Sequence, residues 1–203
     1  MAALFETAVS TYGGVNFVCA NAGIEGPLGP LADANVDEVG DLVFGINVVG
    51  CMRTMKAAIP ELEKVGRGSI FVTSSVLSCL PAPNLAVYGA SKAAVDSLVR
   101  SVALEVADKN IKVYSINPYV FDTEMVGRLK GEMGVSTAAE LAKFSNPSGR
   151  AGKGESIAEF IIKVMAGETA YESGSAIACD SDAQFPLAEV PKKAADMAAA
   201  ASG

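Results

Sequence analysis

The sequence predicts an α/β domain in which a parallel sheet carries helices on both faces, with about four of the sheet's strands in this chain. Three observations predict it. Val15 to Ala20, Gly68 to Thr73 and Ile111 to Ile116 are short apolar runs without alternation, as expected of strands covered on both faces. Long stretches of helical period separate them. Strands alternating with helices of this length require right-handed crossovers, and these put the strands parallel.

In order, Met1 enters a helix whose apolar stripe, Leu4, Phe5, Ala8 and Val9, ends at Gly13-Gly14. The first strand, Val15 to Ala20, is followed by a long helix from Val36 to about Val65 and by the second strand, Gly68 to Thr73. A second long helix, Leu85 to Ala107, is expected to be capped by Asn84, and the third strand is Ile111 to Ile116. Between Thr123 and Gly154 the pattern loosens into short amphipathic pieces, Met125 to Leu129 and Ala138 to Phe144, set apart by Gly and Ser. Ser156 to Ala166 is a helix and Ser175 to Cys179 the last strand. The domain is expected to span 1–185. The Ala-rich tail 186–203 reads as frayed helix or disorder, with a docking segment as the alternative.

With 203 residues, 50% hydrophobic and 19% charged, the chain holds one sizeable core. Its mean hydropathy of +0.33 exceeds what an ordinary soluble surface needs, so some apolar surface is expected to face other protein. No charged-then-apolar start resembles a signal peptide, and no apolar run reaches the roughly 18 residues of a membrane span, so the chain reads as soluble and cytoplasmic. A net charge of -7 disfavours a nucleic-acid or anionic-membrane partner. Cys19, Cys51, Cys79 and Cys179 sit in apolar contexts without paired spacing and read as buried, reduced and structural. There is no histidine, so no metal site is expected.

Chemistry is concentrated between Ser75 and Lys92, SVLSCLPAPNLAVYGASK. Tyr88 and Lys92, four apart on one helix, share a face. A lysine ammonium near a phenol favours the phenolate, lowering a pKa that starts near ~10 toward the range of a working proton donor. The spacing alone is weak, but Ser74-Ser75 follow a buried strand at the sheet edge where α/β sites form. Either serine could hold a substrate oxygen.

Here the sequence resembles the short-chain dehydrogenase/reductase family. The matches are Asn21-Ala22-Gly23 after the first strand, Asn47 in INVVG, Ser75 in TSSV, Tyr88 and Lys92 in YGASKAA, and Asn117-Pro118 through Thr123 in NPYVFDT. Gly149-Arg150 and YESGSAIACD look like the family's segments around its last helix and strand, and order and spacing agree from about residue 3 to 182. The resemblance implies a Rossmann-like fold and NAD(P)-dependent reduction of a carbonyl or oxidation of a secondary alcohol. Tyr88 would then be the proton donor, Ser75 the group on the substrate oxygen, Lys92 the partner of Tyr88 and of the nicotinamide ribose, and Asn47 the holder of a relay water. Asn21, Ala22, Gly23, Pro118, Phe121 and Thr123 would flank an NAD or NADP cofactor, and 123–154 would cover the substrate. Leu77, Leu80, Pro81, Leu85, Met125, Leu129 and Phe144 would make the pocket mostly apolar.

The family's opening strand and Gly-rich pyrophosphate turn do not occur in this sequence, and Tyr119 stands where the family usually has glycine. A side chain there could crowd the nicotinamide. The edge of Val15 to Ala20 would then need cover from upstream sequence, a partner chain or the tail. The two long helices are, by resemblance, oligomer faces. Two readings follow: an oxidoreductase, or a non-catalytic subunit of a larger assembly.

Overall fold

A computed structural model describes residues 1–133 and 136–201, with the side chains of 129–133 and 201 outside the description. Its sheet runs β1 (Phe17–Ala20), β2 (Gly68–Thr73), β3 (Ile111–Pro118), β4 (Ala176–Asp180), β5 (Ala183–Pro186), in that spatial order. The first four are parallel and β5 returns antiparallel on β4. The sheet therefore has five strands in this chain rather than about four.

Helices lie on both faces. On one, α1 (Ala2–Tyr12), α3 (Gly50–Val65) and α4 (Ala86–Glu105) bury Phe5, Met55, Leu62, Val95 and Val99 against Val18, Ile70, Val72 and Val113. On the other, α7 (Gly154–Ala166) brings Phe160 onto Phe71, Tyr114 and Ile177. Ile70, Phe71 and Val72 are fully buried, as a strand covered on both faces requires, each contributing roughly 1.5–3 kcal/mol of transfer free energy.

The expected helix 36–65 is continuous but not uniform. Between α2 (Val36–Phe44) and α3 it widens into a π-helical stretch, Gly45–Val49, centred on Asn47. Its length and composition alone would let it cross a bilayer, contrary to the sequence expectation, and among the described residues it is the one helix of that kind. Its inner face, however, holds buried Asn47 and packs Cys51, Met55, Ala58 and Leu62 into the core. Leu42, Phe44, Ile46, Val49 and Met52 are exposed along the helix.

Other differences are local. Asn84 does not cap α4; it takes a left-handed φ of 67°, and Leu85 occupies the cap position without a side-chain bond. Cys19 and Cys79 are exposed, while Cys51 and Cys179 are buried. Cys19 alternates with buried Val18 and Ala20 on the edge strand, so its side of β1 lies open beyond the reach of α7. Residues past 185 form a short 3-10 turn and α8 (Val190–Ala201). The 185/186 boundary falls inside β5, and Val190 is fully buried with Val76, Tyr119 and Ala178. This segment lies at the opposite edge of the sheet from β1, so it cannot cover the β1 edge.

Candidate active site

Parallel strands end together, and the carboxyl ends of β1, β2 and β3 gather the site. One cleft of about 490 Å³ there is lined by Asn21, Ala22, Gly23, Ser75, Tyr88, Lys92, Pro118, Phe121 and Thr123. The sequence motifs after β1, β2 and β3 and on α4 thus converge on one surface. A second, apolar cavity of about 210 Å³ adjoins it on the far side of Tyr88, with Leu77, Leu80, Leu85, Met125 and Val126 in its walls.

Tyr88 and Lys92 share the inner face of α4, as their spacing requires, and both are buried. The Tyr88 phenol lies near Ser75, close enough for the serine hydroxyl to act on its ionisation. Ser74 turns the other way and donates to the Lys92 carbonyl at 3.1 Å, which separates the two serines. Ser75 Oγ also accepts from Leu77 N at 3.1 Å and so caps the turn Val76–Ser78.

The expected electrostatics of the pair are not what the geometry gives. Burial pushes the Tyr88 phenol up to about 12; the nearby Ser75 hydroxyl opposes this and the Glu25 carboxylate adds to it. Lys92 Nζ sits 5.6 Å from the ring centroid and donates to Thr73 O at 2.8 Å, so its charge faces the ring and strand end. Burial also lowers the Lys92 pKa, against the raising influence of Cys51 and Asp96. Spacing alone sets a shared face and leaves the distance between charge and phenol oxygen open.

Asn47 is fully buried and its amide is engaged: Nδ2 donates to Ile24 O at 2.9 Å and Ser91 Oγ at 3.0 Å, and Oδ1 accepts from Ile24 N at 2.8 Å. Both N–H groups are spent on the loop after β1 and on α4, which leaves at most a lone pair of Oδ1 for a water. Gly23 lies against this pair; a Cβ there would come within 3.1 Å of Lys92 Nζ and 3.2 Å of Asn47 Oδ1. Asn21 Oδ1 accepts from Thr73 Oγ1 at 2.8 Å, tying the ends of β1 and β2.

On β3's extension, Pro118 ends the strand and buried Phe121 pairs with Gly152 in an isolated parallel bridge. A Cβ on Gly152 would lie 2.2 Å from the Phe121 ring, so that position excludes any side chain. Thr123 is exposed and its Oγ1 accepts from Val126 N at 3.4 Å. The Tyr119 ring packs toward Phe185, with centroids 6.3 Å apart, and the residue still lines the large cleft where crowding of the nicotinamide is expected. Of the other predicted pocket residues, Pro81 lines a neighbouring groove, Phe144 is 80% exposed, and the Leu129 side chain lies outside the described residues.

Two residues that sequence reasoning missed organise the site. Asp96, one turn beyond Lys92 on α4, is 4% exposed; its carboxylate accepts from Ser115 Oγ at 2.7 Å and Asn117 Nδ2 at 2.9 Å. Asn117 Nδ2 in turn reaches Ser75 O at 3.0 Å, so a network runs from α4 through β3 to the serine. The signal was a charged residue at i+4 from Lys92 within an apolar helix face. Asn146, fully buried, bonds Val120 N, Val120 O and Arg150 O at 3.0, 3.1 and 2.7 Å and pins the covering segment to the end of β3.

Ser75 after β2, with Tyr88 and Lys92 from α4, thus meets at the carboxyl ends of a parallel sheet beside a cleft of about 490 Å³, the place where doubly wound folds hold their ligands. A family model described as enoyl-(acyl carrier protein) reductase matches residues 1–181. The chain belongs to the short-chain dehydrogenase/reductase family. It is 32% identical over 179 residues to oxidoreductase asL5 of Sarocladium schorii, covering 87% of this chain and 69% of that protein. Levodione reductase superposes with a TM-score of 0.80 at 26% identity, covering 88% of this chain and 70% of that one. A 7α-hydroxysteroid dehydrogenase complexed with NADH and 7-oxo glycochenodeoxycholic acid gives 0.75 at 27%, covering 88% and 68%. The chain spans 43% to 70% of the length of the curated relatives it matches.

Proposed function

We propose that this chain carries the reacting half of an NAD(P)-dependent oxidoreductase that interconverts a secondary alcohol and its carbonyl on an apolar small molecule. The observation that carries the reading is the juxtaposition of Ser75 with the Tyr88 phenol at the junction of the large cleft and the apolar cavity. Tyr88 donates its phenolic proton to the carbonyl oxygen, and takes it back in oxidation. Ser75 Oγ, already at that phenol, donates to the same oxygen and stabilises the charge that develops there. A nicotinamide dinucleotide, when bound, supplies or accepts the hydride. The residues present fit such a group. Ala22 and Gly23 leave the cleft wall bare where a Cβ at 23 would meet Lys92, and Lys92 offers donors to ribose hydroxyls opposite. Asn47 holds the loop carrying Gly23, and Asn21, Pro118, Phe121 and Thr123 complete the walls.

The same reading has the chain working as a homo-oligomer or within a larger assembly, in a reducing, cytoplasmic setting. Exposed Leu42, Phe44, Ile46, Val49 and Met52 and four free cysteines support it. A non-catalytic subunit is the second reading, favoured by a phenol pushed up to about 12 and a Lys92 turned to Thr73.

One experiment separates them. In a version of the protein with its nucleotide-binding half present, Tyr88→Phe should lower reduction of a model apolar ketone at least ~100-fold while leaving NAD(P)H affinity nearly unchanged. A Phe variant that keeps most of its turnover would refute Tyr88 as the proton donor, whereas a protein that binds dinucleotide and never turns over would support the accessory subunit.

A further inference from the structure

Glu25, on the loop after β1, and Arg128, on α5 (Glu124–Met133), are 103 positions apart in sequence and joined side-on. Arg128 Nε donates to Glu25 Oε1 at 2.8 Å and Nη2 to Oε2 at 3.3 Å, the two-pronged geometry that gives direction as well as attraction. The partners are unequal: the Glu25 side chain is 11% exposed and that of Arg128 59%. Burial alone would raise the Glu25 carboxyl, but the hydrogen bonds and charge of Arg128 hold it below its ordinary value.

The position of this pair gives it a task. Among the described residues, Glu25 is the one charged group in the wall of the apolar cavity beside Tyr88, and it also lines a second cavity of about 180 Å³ with the segment from Pro27 to Asn35. Met125, three residues before Arg128 and so on the same face of α5, lines the apolar cavity as well. Apart from α6 (Ala138–Ser145), no described element packs extensively on α5. Where few described elements meet a helix, a discrete polar tie can set its position.

We propose that Glu25 and Arg128 are a positioning pair that latches α5 across the apolar cavity and so holds Met125 over Tyr88. The latch is a property of this chain; only its consequence for the reaction rests on the reading of Tyr88 given above. It places Glu25 and Arg128 outside the reacting atoms, since they act on the pocket through α5.

Hydrogen exchange followed by mass spectrometry on the 203-residue chain tests it without any turnover. Glu25→Gln and Arg128→Met should each speed exchange of the Glu124–Met133 amides by about 5-fold or more, with β2 and β3 unchanged. Arg128→Lys, which keeps the charge and loses the fork, should fall between. The double variant should add nothing to either single change, because one interaction has been removed once. Arg128 is exposed enough that its replacement leaves the core intact. Unchanged exchange in α5, an increase spread across the sheet, or additive effects in the double variant would each overturn the latch. An inactive chain that still shows the local, non-additive pattern retains the latch and loses only the reading of Tyr88.

Discussion

The two walls of the apolar cavity are built differently. On one side α4 presents Tyr88 from a helix whose next turns, Val95, Asp96 and Val99, are buried. On the other, Glu124, Gly127 and Arg128 of α5 and Ala139, Glu140, Lys143 and Phe144 of α6 are exposed, and the cover is held by separate polar ties: Glu25 to Arg128, Asn146 to Val120, and Ser148 to Asp180. The proposed reacting groups thus sit in the part that opens only with the core, and the cover sits in the part that can open alone. A site that must both fix a proton donor and admit a ligand needs this division.

The strongest way to break the first wall is through Asp96. Replacing it with Ala removes a charged acceptor that Ser115 Oγ and Asn117 Nδ2 share, leaving Ser115 with Asn117 Oδ1 and Asn117 with Ser75 O and Ser78 Oγ, and empties the space of a buried side chain. Asp96→Ala should lower unfolding free energy by roughly 2–4 kcal/mol, read as a shift in the urea midpoint at constant slope. Because Asn117 also reaches Ser75 O, the turn Val76–Ser78 should loosen with it. A midpoint unchanged within error would mean the network carries no weight.

Asn146 sharpens the contrast from the cover side. Three of its hydrogen bonds join the covering segment to Val120 and Arg150, so Asn146→Ala should cost about 1–3 kcal/mol. Its signature should be local. Proteolysis near 136–150 should accelerate several-fold while exchange in β2 and β3 stays slow; equal acceleration in the sheet would erase the distinction between the two walls.

The first wall was legible because its signals are periodic. An apolar run gave β2, helical spacing put Tyr88 and Lys92 on one face, and the strand end placed Ser75 near them. What periodicity leaves out is distance: the Lys92 ammonium faces Thr73 O, and Tyr88 is pushed up instead of down. Asp96 was visible as a misplaced charge, and the Thr137 to Glu140 capping box that starts α6 as a Thr-x-x-Glu spacing. β5 offered little: four residues ending in Pro186, entered through a tight turn where Ser181 takes the left-handed φ of 52° without a glycine to announce it. The C-terminal helix read as a loose tail because one residue, Val190, anchors its start, and composition cannot reveal a single buried contact.

That anchor leads to the smallest effect, at the seam between the second wall and the C-terminal segment. Tyr119 is buried with Val76, Ala178 and Val190, and its hydroxyl has no hydrogen-bond partner. Burial raises the phenol well above its ordinary pKa, and Asp180 and Cys79 add to the rise, so the group stays neutral and still pays for lost hydration. Tyr119→Phe keeps the ring against Phe185 and removes the orphaned oxygen. It should therefore stabilise the chain, by up to about 1 kcal/mol, as a rise in urea midpoint. A fall of the same size would mean that the hydroxyl finds a partner in solution, with the Asp180 carboxylate, already holding Ser148, the nearest charged candidate.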